Sequence, residues 1–141
     1  MDNNLKQQHN SVFKSIFIID PVKGERLQLA KLLKQENFLM MTYLNLADCF
    51  KQTNPIKPDL AIYVLRKNKN EPSQLKAIRK HFKKIHFIIL LTPDISELNI
   101  TEFKEHGFTS IHKAGNQDMV KELIYSLMPE CQVTKAEEFS T

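Results

Sequence analysis

Asp20, Thr92 and Lys113 are the residues best placed for chemistry, because each closes a stretch that reads as a β-strand. A hydroxyl and an ammonium at one edge of a sheet can grip a small anion. They can equally satisfy one another, with Lys113 paired to Asp20 and the Thr92 hydroxyl bonded to nearby backbone. A lysine beside an acid would still leave a modest site for an anion or small ligand. The stretch Leu60 to Leu65 ends differently, since its residue near that edge is Val64, which has no nucleophilic atom. Asp59 cannot stand in for a carboxylate there, because a strand rising about 3.3 Å per residue carries it about 16 Å away. Its expected role is strand entry or turn chemistry after Pro58.

Few other groups suggest a reaction. Gly24, Gly107 and Gly115 are the only glycines, so no glycine-rich loop cradles a nucleotide phosphate. His9, His81, His86, His106 and His112 do not fall at metal-ligand spacing. His112, beside Lys113, reads as a strand-end residue. Cys49 sits in a short helical pattern and Cys131 in a polar tail, so no disulfide between them is expected, and isolated thiols fit a reducing compartment. Neither a cofactor, a metal nor an enzymatic activity is expected.

Two periodicities alternate around these residues. Ile16 to Ile19 is an apolar strand, and residues 22 to 36 form a helix with Val22, Leu29, Ala30, Leu32 and Leu33 on one side. Residues 38 to 43 read as a second strand, 46 to 53 as a short helix and Leu60 to Leu65 as a third strand. Pro72 opens a helix to about Lys84, with Leu75, Ile78 and Phe82 facing inward. Ile85 to Leu91 is a fourth strand, and Asp94 to Glu97 has capping-box spacing for a helix that stops at Gly107. Phe108 to His112 gives a short fifth strand. Asn116 then caps a last helix carrying Val120, Leu123, Ile124 and Leu127, closed by Pro129.

Strands that are apolar throughout must be covered on both faces, and alternating helices supply that cover, which implies an α/β fold with a parallel sheet. Such sheets gather functional groups at the carboxyl ends of their strands, here Asp20, Val64, Thr92 and Lys113. A chain of 141 residues that is 42% hydrophobic suits one domain. The expected division is a polar N-terminal tail over 1–14, the domain over 15–129, and a polar, acidic tail or linker start over 130–141. No apolar stretch approaches the roughly 20 residues of a membrane span. The polar opening, Met1 to Asn10, lacks the apolar core of a secretory signal, so the cytoplasm is expected.

The chain contains Ile18-Ile19-Asp20-Pro21 with Arg26, Pro58-Asp59-Leu60 leading to Val64, Ile88-Ile89-Leu90-Leu91-Thr92, and Lys113-Ala114. In that order and spacing, over residues 15 to 129, it resembles the response-regulator receiver domains of the CheY-like superfamily. The resemblance implies a flavodoxin-like (βα)5 three-layer sandwich whose five-stranded parallel sheet has the order 2-1-3-4-5. It also implies a site in which acids after the first strand and an aspartate ending the third hold magnesium. That third-strand aspartate accepts a phosphoryl group, which the threonine and lysine contact. Against this pattern Pro21 replaces the second acid and Val64 the phosphoacceptor, so Asp20, Pro21, Val64, Thr92 and Lys113 read as a degenerate phosphorylation site. Magnesium needs several hard oxygen ligands, and one carboxylate is a poor start. Ser110 and Ile111 stand in the neighbourhood of the family's switch aromatic, and Ala114 replaces the proline after the lysine.

Charge is distributed unevenly. Arg66 to His86 carries eight Lys or Arg against Glu71 alone, whereas Asp94 to Thr141 carries nine acids against four lysines, a polarity that the net charge of +4 conceals. Arg66, Lys67, Lys69, Lys76, Lys80, Lys83 and Lys84 form a candidate basic surface for an acidic partner, a phosphate backbone or an anionic membrane. No recognition helix or aromatic platform accompanies them, which places nucleic acid second. The resemblance implies a partner or dimer face on the fourth helix, fifth strand and fifth helix, singling out Glu97, Leu98, Glu102, His106 and Tyr125. The expectation is a phosphorylation-independent pseudo-receiver, a protein–protein interaction module in bacterial signalling or regulation. Its partner would be a signalling protein or a second copy, and the alternative is a nucleic-acid or polyanion-binding regulator.

Overall fold

Side-chain parity along each strand divides the core into two layers. In the computed structural model, which describes residues 13–35, 37–51, 53–67, 72–95, 100–115 and 117–131, strands and helices alternate. The order is β1 (Lys14–Ile19), α1 (Lys23–Leu33), β2 (Phe38–Tyr43), α2 (Leu46–Cys49), β3 (Leu60–Leu65), α3 (Pro72–His81), β4 (His86–Leu91), α4 (Ile100–Glu105), β5 (Ile111–Lys113) and α5 (Gln117–Leu127). All pairings are parallel, in the order β2-β1-β3-β4-β5 that was expected. Ile16, Ile18, Ile62, Val64, Ile88 and Leu90 turn to one face, against Leu29 and Leu33 of α1 and Val120 and Ile124 of α5. Phe17, Ile19, Ala61, Tyr63, Phe87 and Ile89 turn to the other, against α2, α3 and α4. Burial on both faces is why the central strands β1, β3 and β4 show no polar alternation.

Several boundaries differ from the sequence expectation. On α1, Leu29 and Leu33 stack four residues apart on the buried face, while Leu32 is 39% exposed rather than inward. The short helix α2, its Asp48 N–H capped by the Asn45 side chain at 2.8 Å, ends at Cys49 instead of residue 53. Helix α3 stops at His81, and exposed Lys83 and Lys84 turn the chain so that buried Ile85 can lead into β4. The fifth strand begins at Ile111, not Phe108, because the Phe108 N–H is already used. It bonds to the Phe103 carbonyl at 3.0 Å while Gly107, at φ +96°, bonds to Lys104, which closes α4 in a Schellman motif. Phe103 and Phe108 pack edge to face at 5.9 Å across that turn. Asn116 and Glu97, read as caps, lie outside the described residues.

Cys131 is a further correction. A 3-10 turn over Pro129–Cys131 returns the chain to the core, where Cys131 is 1% exposed beside the α1 and α5 residues. Its apolar surroundings override the polar composition of the neighbouring sequence, and burial pushes its thiol pKa up. Cys49, in the opposite layer, is raised by burial too, so the sheet separates the two thiols.

Asp59 ties the amino ends of the central strands. Its carboxylate accepts from the Ser15 N–H at 2.8 Å and from the Ser15 hydroxyl at 3.3 Å, while its own N–H bonds to the Ser15 carbonyl at 2.9 Å. This is the strand-entry role at the far end of β3.

Candidate functional site

The carboxyl ends of β1, β3, β4 and β5 surround a cavity of about 420 Å³. Leu29, Val64, Leu90, Ala114 and Val120 supply its apolar lining, and Asp20, Glu25, Arg66, Thr92 and Asp94 its polar groups. Ile19 stands opposite Tyr63 in the β1–β3 register, which brings Asp20 level with Val64. Arg66 follows two residues later, and a period of two returns its side chain to the Val64 face.

Asp20 is 2% exposed and fully engaged. The Arg66 guanidinium grips it with two bonds, Nε to Oδ1 at 2.7 Å and a terminal nitrogen to Oδ2 at 2.9 Å. The Val22 N–H donates to the same Oδ1 at 2.9 Å, and Arg26 donates to the Asp20 carbonyl at 3.2 Å. Bidentate, charge-assisted pairing of this kind is the strongest common side-chain hydrogen bonding. Its first effect on Arg66 is to raise the guanidinium pKa further. Arg66 was expected on the basic surface and Lys113 beside Asp20, but it is Arg66 that holds Asp20. Lys113, last in β5, is exposed and makes no ion pair among the described residues.

The residues present do not fit a magnesium ion. Both oxygens of the one carboxylate at the first strand end already face a cation, Pro21 has no side-chain oxygen, and Val64 contributes only methyl groups. Thr92 is buried, and its hydroxyl bonds to the Leu65 carbonyl at 3.2 Å and to the Asp94 carboxylate. That bond, first among the causes, holds the Asp94 carboxyl below its ordinary range. The structure therefore brings Asp20, Val64 and Thr92 to one cavity and leaves Lys113 outside its lining. Arg66 and Asp94 were not assigned to the site from the sequence. Arg66 carried a signal nonetheless: the first residue after β3, it shares parity with Val64 and follows the strand paired to the one that ends at Asp20.

The two expected surfaces are joined. Lys76 of α3 pairs with Glu102 of α4, so one basic candidate neutralises one partner-face candidate. Arg79, between them, bonds to the Ile85 carbonyl and lies 5.4 Å over the Phe87 ring. Lys67, Lys80, Lys83, Lys84 and His106 are exposed. Tyr125 does not join His106 and Glu102, because it is half-buried and its hydroxyl donates to Gln35 just after α1. Glu97, Leu98 and Lys69 lie outside the described residues.

No family profile matches the sequence, and no curated relative matches it either. Solved structures do match the fold. A response regulator from Thermotoga maritima superposes with a TM-score of 0.69 at 15% identity, over 84% of this chain and 99% of that one. The signal receiver domain of a putative Luxo repressor protein from Vibrio parahaemolyticus gives 0.69 at 13% identity, over 92% and 98%. The phosphorylated cyanobacterial phytochrome response regulator RcpA gives 0.64 at 18% identity, over 82% and 91%. At such identities the likeness is one of architecture, and the chain has the flavodoxin-like fold of response-regulator receiver domains.

Proposed function

We propose that the chain is a degenerate receiver domain that takes no phosphoryl group and serves as a protein–protein interaction module in bacterial signal transduction or regulation. One observation carries the reading: the Arg66 guanidinium occupies the acid end of the site, opposite a valine where a receiver's nucleophile would stand. Phosphoryl transfer there needs an attacking oxygen and a metal to offset developing charge. This site has no nucleophile at Val64, and its first-strand carboxylate is spent on an internal cation.

The fold then acts through its surfaces, without catalysis. A polyanion-binding role draws less support, because Arg66, Lys76 and Arg79 bond within the protein, and of the basic candidates among the described residues Lys67, Lys80, Lys83 and Lys84 are left exposed. Incubation with acetyl phosphate and magnesium, followed by intact mass, should leave the mass unchanged. A stable added phosphate would overturn the reading. Binding to labelled DNA or RNA at low ionic strength tests the polyanion alternative, and affinity capture with charge reversals at Lys80 and Lys83 or at His106 locates the partner face.

A further inference from the structure

The two edges of the sheet are guarded differently. At one, β5 is three residues long and ends on exposed Lys113, a short edge closed by a charge. At the other, β2 is six residues long and reads Phe-Leu-Met-Met-Thr-Tyr, without a charge or a proline. Such an edge offers unpaired N–H and C=O groups to any extended segment of suitable chemistry. Among the described residues no strand pairs with its outer side, where Leu39 and Leu44 are 47% and 49% exposed. A groove of about 380 Å³ lies beside it, lined by Ala30, Lys31, Lys34, Phe38 and Met40. Lys31 and Lys34 form no ion pair among the described residues, and exposed Asp48 and Lys51 of the α2 side are opposite in sign.

The last described residues sit at the amino end of this edge. Glu130 pairs at 3.3 Å with Lys14, which lies level with Phe38 at the start of β2. The Cys131 carbonyl accepts from Gln35 at 3.5 Å, just after α1. Residues 132–141 lie outside the described residues and read Gln-Val-Thr-Lys-Ala-Glu-Glu-Phe-Ser-Thr. We propose that this segment of the same chain covers the edge, with residues 136–141 paired parallel to Phe38–Tyr43 as a sixth strand. Its reach suffices: a strand outside β2 is two spacings, about 10 Å, from β1, and five extended steps from Cys131 to Ala136 cover about 16 Å. Its hand is the favoured one, because α1 and α5 share a layer and the crossover from β5 through α5 to this side turns as β1–α1–β2 does. In this register, strand parity turns Glu138 with Met40 to the α1 side, where Lys31 stands, and Phe139 with Met41 to the other. A second copy suits the edge less well, since pairing β2 with β2 across a two-fold axis sets two lysine-bearing α1 helices side by side. The tether also holds the segment at an effective concentration that a free strand would have to match. Neither the disabled site nor a signalling partner enters this inference.

Amide hydrogen exchange and nuclear Overhauser contacts of the isotope-labelled full chain test it. The Phe139 ring should contact Met41, and the β2 amides that point away from β1 should exchange slowly. Glu138→Lys with Phe139→Ser should speed their exchange about tenfold, while the amides of Ile62 and Ile88 keep their protection. Glu138→Lys alone should lose part of the protection, and adding Lys31→Glu should restore it. Unchanged exchange of β2 in the double tail variant overturns the proposal, as do Phe139 contacts confined to another surface. Protection that grows with protein concentration, together with a dimer in sedimentation, overturns it as well, by making the occupant a second molecule.

Discussion

Replacing Arg66 tests the reading of the site most directly, because it removes the counter-charge and leaves the acid. Asp20 is 2% exposed on its side chain and Arg66 20%. Breaking a buried pair by deleting one partner costs about 3–5 kcal/mol, and the partial exposure of Arg66 places Arg66→Met near 3 kcal/mol. Asp20→Asn should cost less, about 1 kcal/mol, since the amide oxygen still accepts from Val22 and the released guanidinium reaches water. The double variant contains no buried charge, so its cost should be about 2 kcal/mol instead of the sum, a coupling of about 2 kcal/mol. Urea unfolding of the four proteins measures this. Additivity within about 0.5 kcal/mol would refute the pair as the organising contact of the site.

The same pair sets the terms for restoring a metal site. In a variant with Pro21→Asp and Val64→Asp, an incoming magnesium ion must first break a contact whose coupling is about 2 kcal/mol, which is about a 30-fold loss of apparent affinity. Adding Arg66→Met should recover that factor in a calorimetric titration. Equal magnesium affinity with and without Arg66 would show that the guanidinium is no obstacle.

Three further outcomes follow from contacts outside the pair. Asp59→Ala removes the acceptor for the Ser15 N–H and hydroxyl and should cost about 1–2 kcal/mol in urea unfolding, whereas Asp59→Asn keeps one acceptor and should cost less. Cys49 and Cys131 are each 1% exposed and carry raised thiol pKa values, so neither should react with Ellman's reagent until denaturant is added; rapid labelling of native Cys131 would contradict its place in the core. The Asp94 carboxyl is depressed below its ordinary 3.8, chiefly by the Thr92 hydroxyl. Its contribution to stability is therefore complete above that pH and lost as pH falls through the lower folded value, and Asp94→Asn should flatten the acid limb of a thermal-melt pH series.

What the sequence disclosed and what it hid follow from different physics. Strand identity was legible because continuous apolar runs buried on both faces mark Leu60–Leu65 and the stretch from Phe87 to Leu91 as strands. The poor fit to magnesium was legible because Pro21 carries no side-chain oxygen and Val64 only methyl groups. Arg66 was misread because it heads a run rich in lysine, and composition says nothing about which cation turns inward; register and parity decide that. Tyr125 bonds to Gln35 ninety residues away in sequence, a contact that no local pattern encodes. Cys131 was assigned to a tail because its neighbours are polar, although its own burial depends on the turn at Pro129 and the gap between α1 and α5.

On the proposed reading, a single substitution of role explains why Asp20 persists where a receiver's other metal-binding acids are absent. An uncompensated carboxylate at this depth would be costly, and losing the acids around it removes the metal that would otherwise neutralise it. Arg66 supplies that neutralisation from the adjacent strand, and in doing so it joins the ends of β1 and β3. Thr92 adds the third strand to the same frame through the Leu65 carbonyl. Asp20 and Thr92 are thus bonded to the protein itself, whereas Lys113 stays exposed outside the cavity lining. On the proposed reading a partner engages the helix surfaces, since anything that acts through Asp20 must first displace Arg66.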